Sequence, residues 1–215
     1  MKHIIDTNRW PRRAQYEFFS EFEEPFFGLS ADVECGAAYS LCKAKGYSFY
    51  LYYLHKILLA ANQIEEFRYR IEDQQVVLWD SIRIGGTVDR ADGTFGFAHY
   101  SFAQDFEQFA QLAKAEMARV RGRSDLEHSD GQDDIIHFSA IPWVSFTSLS
   151  HARHFKRADS CPKISTGKLR EVMTGKGLAT VMPVSVHGHH ALMDGMHVGR
   201  FFELLEALLG SESQP

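Results

Sequence analysis

Val186-His187-Gly188-His189-His190-Ala191-Leu192-Met193-Asp194-Gly195 reads as a strand that ends at paired imidazoles, a tight connection, and an acidic residue that opens a helix. Beyond Asp194 the apolar residues Val198, Phe201, Phe202, Leu205, Leu208 and Leu209 recur at helical spacing and form one stripe. Three readings of the histidines compete. In the plainest, Asp194 caps the helix with its carboxylate on the orphan amides, and the histidines are loop residues. In the second, His187, His189, His190, Asp194 and His197 ligate a metal ion. Adjacent residues of a strand point to opposite faces, so His189 and His190 do not converge on one ion, and no HExxH spacing is present. No metal is therefore expected. In the third, one imidazole is a general base: with an unperturbed pKa of about 6.5 it accepts a hydroxyl proton at neutral pH once a neighbour fixes its tautomer.

Upstream of this unit, Lys163 to Val172 and Leu178 to Val186 are expected to pair as a hairpin closed by Thr174-Gly175-Lys176-Gly177. Ile135 to Ser148 is strand-like, with Pro142 marking an edge or a bend, and the polar run Arg121 to Asp134 is a loop. Asp105 and Gln108 form a capping box for a helix to Val120, with Phe106, Phe109, Ala113 and Met117 on one face. Ser81 to Asp89 and Thr94 to Phe102 form a hairpin turning at Asp92-Gly93, and Tyr69 to Ile71 with Val76 to Leu78 form another around Asp73-Gln74-Gln75. Ser48 caps a helix to Gln63 whose apolar positions are Tyr50, Leu51, Leu54, Ile57, Leu58 and Ala61. Phe26 to Val33 is a strand. Pro11, at a first helical position, starts a helix to Glu23 that carries Tyr16, Phe18, Phe19 and Phe22. Helices and strands alternate without a regular βαβ beat, which predicts an α/β fold with a mixed β-sheet flanked by helices.

The 215 residues suit one domain, 1–215, with an ample core; no internal repeat or low-complexity linker divides them. A net charge of −5 gives no electrostatic reason for nucleic acid or an anionic membrane as partner. The 17 Phe and 8 Tyr suit an apolar pocket, a subunit interface or an aromatic-rich core. Cys35, Cys42 and Cys161 are odd in number and lack CxxC spacing, so neither a disulfide framework nor a structural zinc site is expected, and a reducing compartment is. No stretch reaches the roughly 18 apolar residues of a membrane span, and Met1 to Arg13 has no apolar signal segment. A cytoplasmic location follows as the expectation.

His189-His190-Ala191-Leu192-Met193-Asp194-Gly195 resembles the HHxxxDG signature of the chloramphenicol acetyltransferase family, shared more loosely with the catalytic domain of dihydrolipoyl acyltransferases. Further segments fall in the same order as in that family: Trp10-Pro11-Arg12-Arg13, Ser48-Phe49-Tyr50, Val77-Leu78-Trp79-Asp80-Ser81, Thr94-Phe95, Ser139-Ala140-Ile141-Pro142-Trp143-Val144, Pro162, and Met182-Pro183-Val184-Ser185-Val186. The resemblance implies a CoA-dependent acyltransferase fold and an acetyl-CoA-dependent O-acetyltransferase acting on a hydroxyl acceptor, chloramphenicol or a more polar alcohol. It implies a homotrimer with active sites between subunits, acetyl-CoA as co-substrate and no metal. His190 is then the base in a direct transfer, Ser139 the hydroxyl that hydrogen-bonds the oxyanion, and Ser165 the holder of a water near the intermediate. Arg12 and Asp194 match an ion pair that fixes the site. Phe18, Phe19, Phe27, Thr87 and Phe95 match acceptor-pocket positions, and Tyr50 and Lys168 lie near the CoA tunnel.

Departures from the family cluster on the acceptor side. Phe19 stands for a tyrosine, His137 for an asparagine and Leu169 for an aromatic that meets adenine, and the hairpin before His190 is longer. Ser150-His151-Ala152-Arg153-His154 replaces an apolar-rich loop, so His137, His151 and Arg153 are expected to line the acceptor site and Arg153 to pair with a polar or anionic alcohol. Two other functions remain open at this point: a dihydrolipoyl acyltransferase-like core, and a non-catalytic trimeric binding protein on the same scaffold.

Overall fold

A computed structural model describes residues 1–126, 133–153, 159–175 and 177–211. His154 and Lys176, part of the loop read from Arg121 to Asp134, and the residues after 211 lie outside the described residues. The elements in chain order are β1 (Lys2–Ile4), α1 (Arg13–Ser20), β2 (Phe26–Glu34), α2 (Gly36–Lys45), α3 (Phe49–Asn62), β3 (Tyr69–Glu72), β4 (Gln75–Trp79), β5 (Arg83–Asp89), β6 (Phe95–Tyr100), α4 (Phe106–Arg121), β7 (Ile135–Ile141), β8 (Lys163–Gly167), β9 (Arg170–Thr174), β10 (Gly177–His189) and α5 (Gly195–Gly210). The large sheet runs β2-β10-β8-β7-β5-β6, with β9 also paired to β10, and β1-β4-β3 form a small second sheet. β5 with β7 and β7 with β8 are parallel, and the other pairings are antiparallel, so the sheet is mixed as expected.

The alternation of strand side chains gives the large sheet two unlike faces. Ile84 and Val88, Phe138, Ile164, Val184 and Val186 join the core beneath α3 and α5, whose Ile57, Leu58, Phe201 and Leu205 are fully buried. Each such side chain contributes about 1.5–3 kcal/mol of burial. The other face carries Thr87, His137, Ser139, Lys163, Ser165, Ser185, His187 and Ser30, and no helix lies over it among the described residues. Helix starts follow the capping chemistry of the sequence. Ser48 Oγ accepts the Leu51 N–H, Asp105 accepts the Gln108 N–H and Asp194 accepts the Met196 N–H.

Several elements differ from expectation: α1 starts at Arg13 rather than Pro11, β10 runs on to His189, and four further differences have a physical reason. α1 ends at Ser20 rather than Glu23, because Glu21, Glu23 and Glu24 would crowd carboxylates at the negative end of the helix dipole. α2 carries no clear apolar period because its buried side is only Ala38 and Cys42; its one local signal is Gly46, which takes φ +68° to end it while the Tyr47 N–H donates to Cys42 O. β7 stops at Ile141 since Pro142 cannot continue the ladder, and the chain turns with the Val144 N–H on Ile141 O. The strand read from Lys163 to Val172 is two, β8 and β9. Opposite Gly167 stands Pro183, which has no N–H and whose ring lies 2.6 Å from where a Gly167 Cβ would be.

Arg70 ties the small sheet to the large one. It is fully buried, and its guanidinium donates to the carbonyls of Asp133, Phe67, Tyr69 and Ile135 at 2.6–2.8 Å. These bonds fix the start of β7, the strand that carries Ser139.

Candidate active site

β10 delivers the histidines. His189 is the last residue of the strand and pairs with Phe26 of β2, and His190 begins the turn to α5. The turn is closed by the Leu192 and Met193 N–H groups on His189 O, at 2.9 and 3.1 Å. Gly188 is required here, since a Cβ would fall 2.2 Å from Met193 Sδ, which is packed in the core. The His190 N–H donates to Pro25 O at 2.8 Å, and Arg12 Nη2 reaches His190 O at 3.5 Å. The imidazole of His190 lies flat on Phe19, with centroids 3.9 Å apart and 4° between planes, and is flanked by Phe27 at 4.6 Å. Its Nδ1 is buried without a hydrogen-bond partner among the described residues, which leaves Nε2 as the nitrogen able to face a substrate.

The neighbouring histidine is held differently. His189 Nδ1 accepts the Ala191 N–H at 3.3 Å, so Nε2 carries its proton. Burial, and then the positive charge of Arg153, push its pKa down to about 4. His189 borders a cavity of about 580 Å³ that is also lined by Tyr16, Phe22, Pro25 and Arg153; His190 does not.

Arg12 Nη1 meets Asp194 Oδ2 at 2.8 Å. The other carboxylate oxygen accepts the Met196 N–H, and His197 Nδ1 accepts the Asp194 N–H, a reciprocal cap on α5. Burial raises the Asp194 pKa, but the hydrogen bonds from Arg12 and the Met196 N–H outweigh it and hold the carboxyl below its ordinary range. Asp194 is thus both cap and ion-pair partner, and one arginine holds the turn at both of its ends.

Ser139 lies elsewhere. In register across the sheet, Ser139 pairs with Ser165, Ser165 with Ser185, and Ser185 with Ser30, so four serines form one row on the face away from α3 and α5. The Ser165 and Ser185 hydroxyls are fully buried and have no hydrogen-bond partner among the described residues. His190 is five positions past Ser185 and two strands across from Ser139, a Cα separation of roughly 15–20 Å from strand rise and spacing. Ser139 shares the face of Ser185 and His189, opposite to that of His190. Within one chain the two groups cannot touch the same atom.

The other expected residues divide between these two regions. Phe18 and Phe19 form an aromatic cluster on α1 with Phe22, and Phe18 is 61% exposed. Thr87, Phe95 and His137 are exposed on β5, β6 and β7, on the face of Ser139. The His151 ring meets His187 edge-on at 4.8 Å, and burial followed by the His187 charge lowers the His151 pKa to about 4. Arg153 donates to Glu24 at 2.8 Å and stacks on Phe26, so its charge is already answered within the chain. Tyr50 packs against Tyr53 and Phe138 beneath the sheet, and Lys168 is exposed at the β8–β9 break, its N–H on Val144 O. Among the described residues, possible metal-ligand atoms converge at His137, Asp159 and Cys161, within 4.8 Å, rather than at the histidines of the turn. The ammonium of Lys163 already lies 2.6 Å from the Asp159 carboxylate. Sequence reasoning missed Pro25 and Ser185. The first acts through its carbonyl, which no residue pattern marks; the second needed the strand register.

A mixed sheet whose longest strand ends in a His-His turn, pinned by an arginine–aspartate pair at a helix start, defines a CoA-dependent acyltransferase. The family profile for chloramphenicol acetyltransferase matches residues 2–206, and the chain belongs to that family. It is 28% identical over 211 residues to chloramphenicol acetyltransferase 3 of Escherichia coli, covering 97% of each chain. To a chloramphenicol acetyltransferase of Proteus mirabilis it is 26% identical over 204 residues, 94% of this chain and 92% of that one. A solved chloramphenicol acetyltransferase structure matches at TM-score 0.88 and 33% identity, over 97% of this chain and 100% of that one. A dihydrolipoamide acetyltransferase of Azotobacter vinelandii, at 15% identity and TM-score 0.65 over 92% of this chain and 86% of that one, shares the fold. The chain is therefore an enzyme of the acyltransferase class, from a family whose co-substrate is acetyl-CoA, and the reading as a non-catalytic binding protein is set aside. No helix among the described residues is long and apolar enough to cross a membrane.

Proposed function

We propose that this chain transfers the acetyl group of acetyl-CoA to a hydroxyl of a small-molecule acceptor, with His190 as general base and Ser139 as oxyanion donor. The observation that carries this reading is His190 itself: an imidazole locked in plane on Phe19, its backbone fixed at both N–H and C=O, and only Nε2 open to a substrate. His190 Nε2 takes the acceptor hydroxyl proton as that oxygen attacks the thioester carbonyl. The Ser139 hydroxyl donates to the oxygen that becomes negative. Collapse of the intermediate expels the CoA thiolate, which recovers the proton from the imidazolium. Ser165, in register beside Ser139, supplies a second hydroxyl for a water in that polar row.

The separation of His190 from Ser139 within one chain supports a working unit of more than one copy, and the homotrimer implied by the family resemblance meets that need. The domain reading, 1–215, places all these groups in one unit per copy. Chloramphenicol, which the relatives' names specify, is the first acceptor to test. An anionic alcohol gains less from Arg153 than the sequence implied, because Glu24 and Phe26 already engage that side chain. The test is thioester cleavage of acetyl-CoA with and without chloramphenicol, on wild type and on mixed assemblies of His190→Ala and Ser139→Ala chains. Activity regained on mixing two inactive variants is the expected result; verified mixed assemblies without activity would sink the shared site.

A further inference from the structure

We propose that Arg153 is a positioning residue for His190: it clamps the segment Glu24-Pro25-Phe26, whose Pro25 carbonyl holds the His190 amide. The clamp is a closed set of contacts. Arg153 Nη1 donates to Glu24 Oε1 at 2.8 Å, and the same oxygen accepts the Phe26 N–H at 3.2 Å. The guanidinium carbon lies 3.4 Å from the centre of the Phe26 ring. Phe26 packs edge-on against His189, at 5.5 Å, and is its partner in the final pair of the β2–β10 ladder. One residue before Phe26, Pro25 O receives the His190 N–H.

The position of this clamp explains the need for it. Strand ends fray, and Phe26–His189 is the last pair before the turn that carries the base. Arg153 closes that end with a planar cation that stacks on the Phe26 ring at 3.4 Å and bonds the Glu24 carboxylate at once, closer to the ring than the Lys163 ammonium at 4.9 Å. The side chain is only 13% exposed, so these contacts work in a partly dehydrated setting. A second anchor runs the other way: Arg153 Nε is 3.6 Å from Asp159, whose carboxylate holds Lys163 of β8 at 2.6 Å. The guanidinium therefore bridges β8 to the segment behind His190.

The inference rests on His190 being the base, and the experiment separates the two. Arg153→Met and Arg153→Lys are compared with wild type by amide hydrogen exchange and by kinetics with acetyl-CoA and chloramphenicol. In Arg153→Met the His190 amide should exchange about tenfold faster or more, while core amides such as Val184 and Val186 stay as protected as before. Misplacing the base should lower kcat by about 10- to 100-fold with either KM changed less than about twofold. Arg153→Lys should recover part of both effects. In a His190→Ala background the Arg153→Met change should cost nothing further in kcat. Unchanged exchange at His190, exchange that rises equally in the core, or an acceptor KM that rises at constant kcat would each overturn the clamp. A His190→Ala enzyme that keeps its rate overturns the base instead, and the catalytic meaning of the clamp with it.

Discussion

His190 sits on a turn pinned from several sides, whereas Ser139 sits mid-strand and owes its place to the ladder around it. The turn is held by Pro25 O, by Arg12 on His190 O and Asp194, by the Phe19 ring, and by Met193 beneath Gly188. Ser139 has Ser165 beside it in register and, at the origin of its strand, the Arg70 anchor on Ile135 O. The proposed base must present one nitrogen in one ring plane, and contacts from distant parts of the chain over-determine the orientation of His190. The role proposed for Ser139 needs only a hydroxyl at the right depth, which strand register delivers.

The largest expected effect tests the turn. His190→Ala should lower kcat for acetyl-CoA cleavage by about 10² to 10⁴ while the thermal midpoint holds. His189→Ala should cost much less, because its ring faces the other way and its nitrogen is spent on the Ala191 amide. Equal losses would erase the distinction between the two imidazoles. Next, Ser139→Ala should lower kcat by about 10² with KM for acetyl-CoA unchanged, since the bond strengthens only as charge appears. A raised KM at constant kcat would recast Ser139 as a ground-state contact.

Removing the pin is expected to act on stability first. Arg12→Met strands Asp194, but that carboxylate is 34% exposed, so solvent screens the loss to about 1–3 kcal/mol in urea denaturation. Ser30→Ala, at the exposed end of the serine row, should move stability by less than about 0.5 kcal/mol. Similar costs for the two would mean that the turn is no better secured than the sheet edge.

A further effect is a slope in pH. His151 and His189 have folded pKa values of about 4 against 6.5 in the unfolded chain. Between those values the unfolded state binds protons that the folded state refuses, so stability falls as pH drops from 6.5 towards 4. Urea midpoints across that window should decline more gently in His189→Gln than in wild type. An identical slope would show that His189 does not carry it.

Much of this contrast is legible in the sequence. The caps at Ser48, Asp105 and Asp194 are visible there because capping is local chemistry, and the motif order carries His190, Ser139, Arg12 and Asp194. Alternation alone places His189 and His190 on opposite faces. The serine row is hidden, since it depends on the register of three pairings among strands far apart in sequence. Arg153 reads as an acceptor contact because its partner, Glu24, lies 129 positions earlier. The break between β8 and β9 comes from Pro183, a residue of a different strand, so Lys163 to Val172 carries no mark of it.

The row Ser30–Ser185–Ser165–Ser139 also works as a key to chain alignment. Slipping β8 by one residue would set Ile164 or Thr166 beside Ser139, and slipping β10 would set Val184 or Val186 beside Ser165. Either error swaps the polar and apolar faces of a strand and breaks the line of hydroxyls at a single joint. Correctly zipped molecules alone therefore carry an intact line, so, on the role proposed for Ser139, specific activity per folded molecule doubles as a gauge of alignment fidelity. Refolded material with native helix content but a misaligned sheet would be silent in that assay, although circular dichroism would count it as native.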